Sequence, residues 1–142
     1  MSDSSRPQSS TSASAVRDWR ASLPAEPASL PQMRSLLGRF LNECGVGDHV
    51  FYNGLLVADE LVANAIEHGS GDDEEVEIHV QLLGDRLCIA VYDCARQAGV
   101  PVALTPDEGR ESGRGLQVVA RLADWSEQII GGRREVRAEL PL

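Results

Sequence analysis

Residues 75–93 read EVEIHVQLLGDRLCIAVYD. Val76, Ile78, Val80 and Leu82 alternate with polar residues, the period-two mark of a half-buried strand. Leu83-Gly84-Asp85-Arg86 has the composition of a turn. Leu87 to Tyr92 is apolar on both phases, which suits a central strand. Upstream, Leu30, Met33, Leu36, Leu37, Phe40 and Leu41 recur at helical spacing and predict a helix over Ala28 to Cys44, with Pro31 in its first turn and Gly45 and Gly47 after its end. A second helix is expected from Asp48 to His68, with a stripe of Leu55, Ala58, Val62, Ala65 and Ile66, closed by Gly69-Ser70-Gly71. Val16 to Ala25 reads as a first strand, ended by Pro24 and Pro27. Downstream, residues 94–112 carry two prolines and two glycines and read as a long loop, of the kind that is functional or mobile. Leu116 to Leu122 resumes helical spacing, and Trp125 to Ile130 and Glu135 to Leu140 read as a strand pair joined near Gly131-Gly132. Helices and hairpins are segregated rather than alternating one for one. That pattern predicts an α+β fold, with helices on one face of a mainly antiparallel sheet.

The chain has 142 residues, 42% hydrophobic and 25% charged, enough for one domain over residues 16–142. Residues 1–15 are rich in Ser and bury too little to offset ordering entropy, so a disordered tail is expected there. Aromatic residues make up only 4%, so Leu, Val, Ile and Ala must build the core. A net charge of -9 argues against direct nucleic-acid binding, which needs a basic face, and suits a basic or mixed-charge protein partner. Every basic residue is Arg, which excludes any mechanism that needs a lysine. Cys44, Cys88 and Cys94 show no metal-ligand spacing, and neither do His49, His68 and His79. No export signal or membrane-spanning stretch is visible, so the expected location is the cytoplasm, with no membrane partner.

Three groups of residues can carry chemistry. On the second helix, Glu60, Asn64 and Glu67 fall on one face at ~100° per residue. An Asn carbonyl can hold Mg²⁺ without adding charge, and a Glu one turn away can accept a proton. Taken alone, the same residues also read as the solvated side of an amphipathic helix. Asp93 ends the apolar strand at the rim of the sheet and could accept a hydrogen bond from an exocyclic amine, or simply terminate the strand. Gly113-Arg114-Gly115 lies just before the expected third helix, where backbone N–H groups, the helix dipole and a guanidinium favour an anion. Ordinary capping by Ser112 would explain the same run. Arg96 and Arg110 flank the loop and read as solvating it.

In order and spacing these elements resemble the GHKL, or Bergerat-fold, ATPases. Glu60 to His68 looks like the N-box, Val91-Tyr92-Asp93 like the strand that delivers the adenine-reading Asp, and Gly113 to Leu116 like the G2 box beside the ATP lid. The resemblance spans about Val16 to Leu140 and is closest to stand-alone anti-sigma-factor serine kinases. It implies a two-layer α/β sandwich of the histidine-kinase-like ATPase type with a mixed, mainly antiparallel sheet. It implies ATP and Mg²⁺, with Asn64 on the cation, Glu60 as catalytic base, Asp93 on the adenine amine, and Gly113, Arg114 and Gly115 at the phosphates. The partners implied are a sigma factor and an anti-anti-sigma protein phosphorylated on serine, together with a homodimer, although no apolar stripe beyond the core's needs marks a dimer interface. The family's Asp-x-Gly-x-Gly pattern is absent: Cys94, Ala95, Arg96 and Gln97 follow Asp93. Glycine there lets backbone lie against the nucleotide. A second reading therefore stands beside the kinase: a non-catalytic module of the same fold that holds a sigma factor or other regulator.

Overall fold

The computed structural model describes residues 17–69, 74–94 and 111–142, with the backbone path alone for 68, 69, 94 and 111–115. The expected tail and the segment from 95 to 110 lie outside the described residues. The elements run β1 (Arg17–Pro24), α1 (Ser29–Cys44), α2 (Asp48–Gly69), β2 (Glu75–Leu82), β3 (Arg86–Cys94), α3 (Glu111–Leu122), β4 (Asp124–Ile130) and β5 (Arg133–Pro141). They form the α+β sandwich expected, three helices over a five-stranded sheet of order β1-β2-β3-β5-β4. All four described strand pairings are antiparallel.

Alternation along each strand sorts the side chains into two faces. Register places Val80 opposite Ile89 and Ile89 opposite Ala138, and Ile78 opposite Val91 and Val91 opposite Val136. These rows face the helices and are buried with Met33, Leu37 and Leu41 of α1, Val57, Leu61 and Val62 of α2, and Leu116 and Val119 of α3. The β4–β5 connection uses Gly131 and Gly132 at φ 57° and 81°, the left-handed pair that a two-residue hairpin turn requires.

The other face of the sheet is polar and cross-linked. Arg20 and Arg133 both reach Glu77, at 3.2 and 2.8 Å, and hold its carboxyl below the ordinary glutamate range; the Arg133 hydrogen bond is the larger cause. Tyr92 and Gln128 donate to Glu135 at 2.7 and 2.8 Å, and Arg86 meets Glu139 at 2.7 Å. Beneath this lattice Cys88 and Ala90 are buried. Exposed pairs of this kind each add little stability, typically below ~1 kcal/mol, so the fold rests on the helix-facing side.

There α2 comes close to β3 at Gly54. A Cβ on Gly54 would stand 3.0 Å from Leu87 Cδ2 and 3.5 Å from Leu41 Cδ1. Glycine costs a helix interior ~1 kcal/mol relative to alanine, and here it admits Leu87 against the helix backbone. Gly54→Val is expected to destabilise the domain by about 1–3 kcal/mol through overpacking. Urea unfolding should show a lower midpoint, and adding Leu87→Ala should make the pair less damaging than the sum of the two changes. An unchanged midpoint in Gly54→Val would refute the close packing.

Candidate functional site

Val57, Leu61 and Asn64 stand at i, i+4 and i+7 on α2, a spacing that places all three on one stripe of the helix. Val57 and Leu61 are core residues, and Asn64 is buried with them at 2% exposure. Glu60, Asn64 and Glu67 do share one side of the helix, as their spacing predicts, but the reading of that side as solvated fails at Asn64. Glu67 is exposed, Glu60 is half-buried one turn before Asn64, and Asn64 points among apolar side chains. The sequence signal was present, since Val57 and Leu61 lie on the helical period of Asn64. Neither Oδ1 nor Nδ2 of Asn64 has a hydrogen-bond partner. A buried polar group left unpaired costs about 1–3 kcal/mol, so an asparagine here is expensive for the fold and suits a ligand that pairs it.

Asp93 lies on the helix-facing side of β3, in phase with Leu87, Ile89 and Val91, and is 3% exposed. Across the β3–β5 pairing its register partner is Arg134, which shares the inward phase of Val136, Ala138 and Leu140. Arg134 Nη2 donates to Asp93 Oδ2 at 2.6 Å, and Arg134 Nη1 lies 3.7 Å from Glu127 Oε2 on β4. Burial pushes the Asp93 carboxyl above its ordinary range, and the Arg134 hydrogen bond and charge pull against that shift. Glu127 is also pushed up by burial, opposed by Arg134. After these contacts, Asp93 Oδ1 and Arg134 Nε remain buried without partners. Arg134 was missed among the sequence candidates. Read as part of the Arg133-Arg134-Glu135 run it looks like surface, although its phase with the apolar residues of β5 marks it as inward.

Chain connectivity brings Asn64 and Asp93 to one end of the domain. The end of α2 joins the start of β2 through residues 70–74, and β2 begins its pairing with β3 at Glu77 opposite Tyr92, next to Asp93. The third helix begins at Glu111, earlier than the spacing from Leu116 onward predicts. Gly113, Arg114 and Gly115 thus lie in the opening turns of α3 and not before it. Glycine adopts helical dihedrals at a propensity cost, so the run does not delay the helix. The first four N–H groups of a helix have no partner within it; with Glu111 as the first helical residue that of Gly113 is among them, while the Arg114 and Gly115 N–H groups enter the helical ladder. Helix α3 packs on α2 through buried Leu116 and Val119. Cys94 is the last described residue of β3; Arg96, Gln97 and Arg110 lie outside the described residues. His79 pairs with Asp18 at 3.1 Å, and His49 contacts Asn53 at 3.3 Å. A groove of about 540 Å³ between α1 and α2, lined in part by Arg34, Gly38 and Leu55, holds none of the site residues.

The unpaired atoms fit the groups that the resemblance implies. The Asn64 carbonyl oxygen is a neutral hard donor of the kind Mg²⁺ accepts, and Asp93 Oδ1 is a free acceptor for an amine. No helix of the described residues is long and apolar enough to cross a membrane.

The model of the histidine kinase-like ATPase domain matches residues 23–138. Among solved structures, the RsbU and RsbW domains of Rv1364c from Mycobacterium tuberculosis match with a TM-score of 0.64 and 17% identity, over 89% of this chain and 33% of that one. The chain thus spans a third of the length of the Rv1364c chain. The SiaB–SiaC complex from Pseudomonas aeruginosa matches with a TM-score of 0.58 and 14% identity, over 96% of this chain and 95% of that one. At these identities the likeness is one of fold. No curated protein sequence matches the chain.

A side chain that weakens the fold for the sake of a ligand should be improvable. Asn64→Leu, close in volume and apolar, is expected to raise the stability of the ligand-free protein by about 1 kcal/mol. Thermal or urea unfolding measures the change, and a variant less stable than wild type would show that Asn64 serves the core.

Proposed function

The chain belongs to the histidine kinase-like ATPase domain family, and from that premise we propose that it binds Mg·ATP as a regulatory serine kinase of the anti-sigma-factor type. The observation that carries this reading is Asn64: a fully buried amide on the core stripe of α2 with neither polar atom paired. Bound Mg·ATP would supply the γ-phosphoryl group, with the cation screening its charge. Asn64 would hold the cation through Oδ1, and Asp93 would accept an N–H of the adenine amine on Oδ1. The free N–H group of Gly113 at the start of α3 would meet a phosphate oxygen, assisted by the positive end of the helix; the Arg114 guanidinium and Gly115 complete that segment.

Glu60 is one turn from Asn64 and is assigned the catalytic base. The partner's serine oxygen forms a bond to the γ-phosphorus, the bond from phosphorus to the departing ADP oxygen breaks, and Glu60 accepts the hydroxyl proton. Phosphoryl transfer asks little more of the protein than positioning and charge neutralisation. The serine belongs to an anti-anti-sigma partner, and a sigma factor is the second partner held by the domain, which acts as a homodimer in the cytoplasm. The net charge of -9 suits a basic or mixed-charge surface on such a partner.

A second reading, a non-catalytic module that sequesters a sigma factor or other regulator, is favoured by two observations. Gln97 stands where the family carries glycine, and Arg134 already engages one oxygen of Asp93. Titration calorimetry with ATP, with and without Mg²⁺, separates the two. The kinase reading expects Mg²⁺-dependent binding that Asp93→Asn weakens about tenfold or more, and phosphorylation of the partner that Asn64→Ala abolishes while the fold persists. Absence of ATP binding near millimolar concentration, with partner binding unaffected by Asn64→Ala, would establish the non-catalytic module instead.

A further inference from the structure

We propose that Arg134 is a specificity-determining residue of the nucleotide site, reading the base jointly with Asp93; this rests on the adenine-nucleotide reading above. The two residues sit opposite each other on β3 and β5, on the helix-facing side of the sheet. Directly opposed strand residues have Cβ atoms about 5 Å apart, so their functional groups act as one unit. Arg134 is 8% exposed and Asp93 3%. Two carboxylates hold the outer nitrogens of the guanidinium: Asp93 takes Nη2 at 2.6 Å and Glu127 stands 3.7 Å from Nη1.

What is left unpaired is the informative part. Asp93 keeps one buried acceptor, Oδ1, and Arg134 keeps one buried donor, Nε–H. A salt bridge built only for stability would gain by satisfying both, because a half-satisfied buried network is worse than an apolar one. An acceptor and a donor left open on one ion pair are the complement of an amino group beside a ring nitrogen. The 6-aminopurine ring offers that pattern on either edge: the amine as donor, with N1 or N7 as acceptor. In this assignment Asp93 Oδ1 accepts the amine N–H and Arg134 Nε donates to the ring nitrogen. The ion pair fixes the carboxylate rotamer and keeps Oδ1 an acceptor.

The test is calorimetric and needs no turnover. ATP, 1-deaza-ATP and 7-deaza-ATP are titrated into the full chain and into Arg134→Met, with a thermal melt of each protein. Wild type should bind one of the two deaza analogues about tenfold or more weakly than ATP, the loss expected for one buried charge-assisted hydrogen bond. In Arg134→Met that difference should vanish, because the donor is gone. Arg134→Lys serves if the methionine variant does not fold: it keeps the charge but lacks the Nε–H, and should lose the same discrimination. Equal affinity of wild type for ATP and both analogues would overturn the assignment and leave the nucleotide reading standing. So would a penalty that persists in a folded Arg134 variant, or tighter ATP binding after the substitution, which would mean that the guanidinium occupies the place of the base. If wild type binds neither ATP nor ADP, the nucleotide reading fails and this assignment fails with it.

Discussion

The contact that sets the geometry of the whole domain is the seam between α2 and β3, where Gly54 admits Leu87. Helix α2 also packs against α1, α3 and β5, and β3 is the middle strand of the sheet. Helix α2 therefore touches most of the other elements, and β3 ties it to the strands on both sides. The seam is apolar along Val57 and Leu61 on the helix and along Leu87, Ile89 and Val91 on the strand. Both elements change character at the same end of the domain, to Asn64 on the helix and Asp93 on the strand. One continuous interface thus begins as core and ends as site, and the packing that holds the fold also aims the polar residues.

That arrangement has a thermodynamic consequence. Domains are stable by only about 5–15 kcal/mol, and an orphaned buried polar atom takes about 1–3 of that. Asn64, Asp93 and Arg134 together leave four such atoms. The penalty is concentrated at one end, while the helix-facing rows from Leu23 through Val80, Ile89 and Ala138 to Leu140 are apolar and closely packed. The polar lattice on the opposite face supplies no comparable reserve, because its pairs are partly exposed. A ligand that satisfies the orphaned atoms would recover what they cost, so occupancy and stability should rise together.

Much of this was legible in the sequence. Alternation at Val76, Ile78, Val80 and Leu82 predicted the inward face of β2, and Gly131-Gly132 predicted the last turn. The fold class followed from the hairpins. Site residues were harder to read, for a physical reason: a functional group in a core violates the patterns from which cores are recognised. Asn64 and Arg134 both occupy positions whose neighbours at helical or strand period are apolar, and polarity alone assigns them to the surface. The start of α3 was misplaced because Gly113 and Gly115 weaken helical spacing without preventing the helix. In each case the period of the neighbours was a better guide than the chemistry of the residue itself.

The most direct test is the side-chain amide NMR spectrum of the protein during titration with Mg·ATP. The chain has three asparagines: Asn42, exposed on α1, Asn53, half-buried on α2, and Asn64. The Asn64 amide pair, identified by its loss in Asn64→Leu, should shift on addition of Mg·ATP and shift less with ATP alone, while those of Asn42 and Asn53 stay in place. An Asn64 pair unmoved at saturating Mg·ATP would contradict its role as the buried contact to the bound nucleotide and its cation.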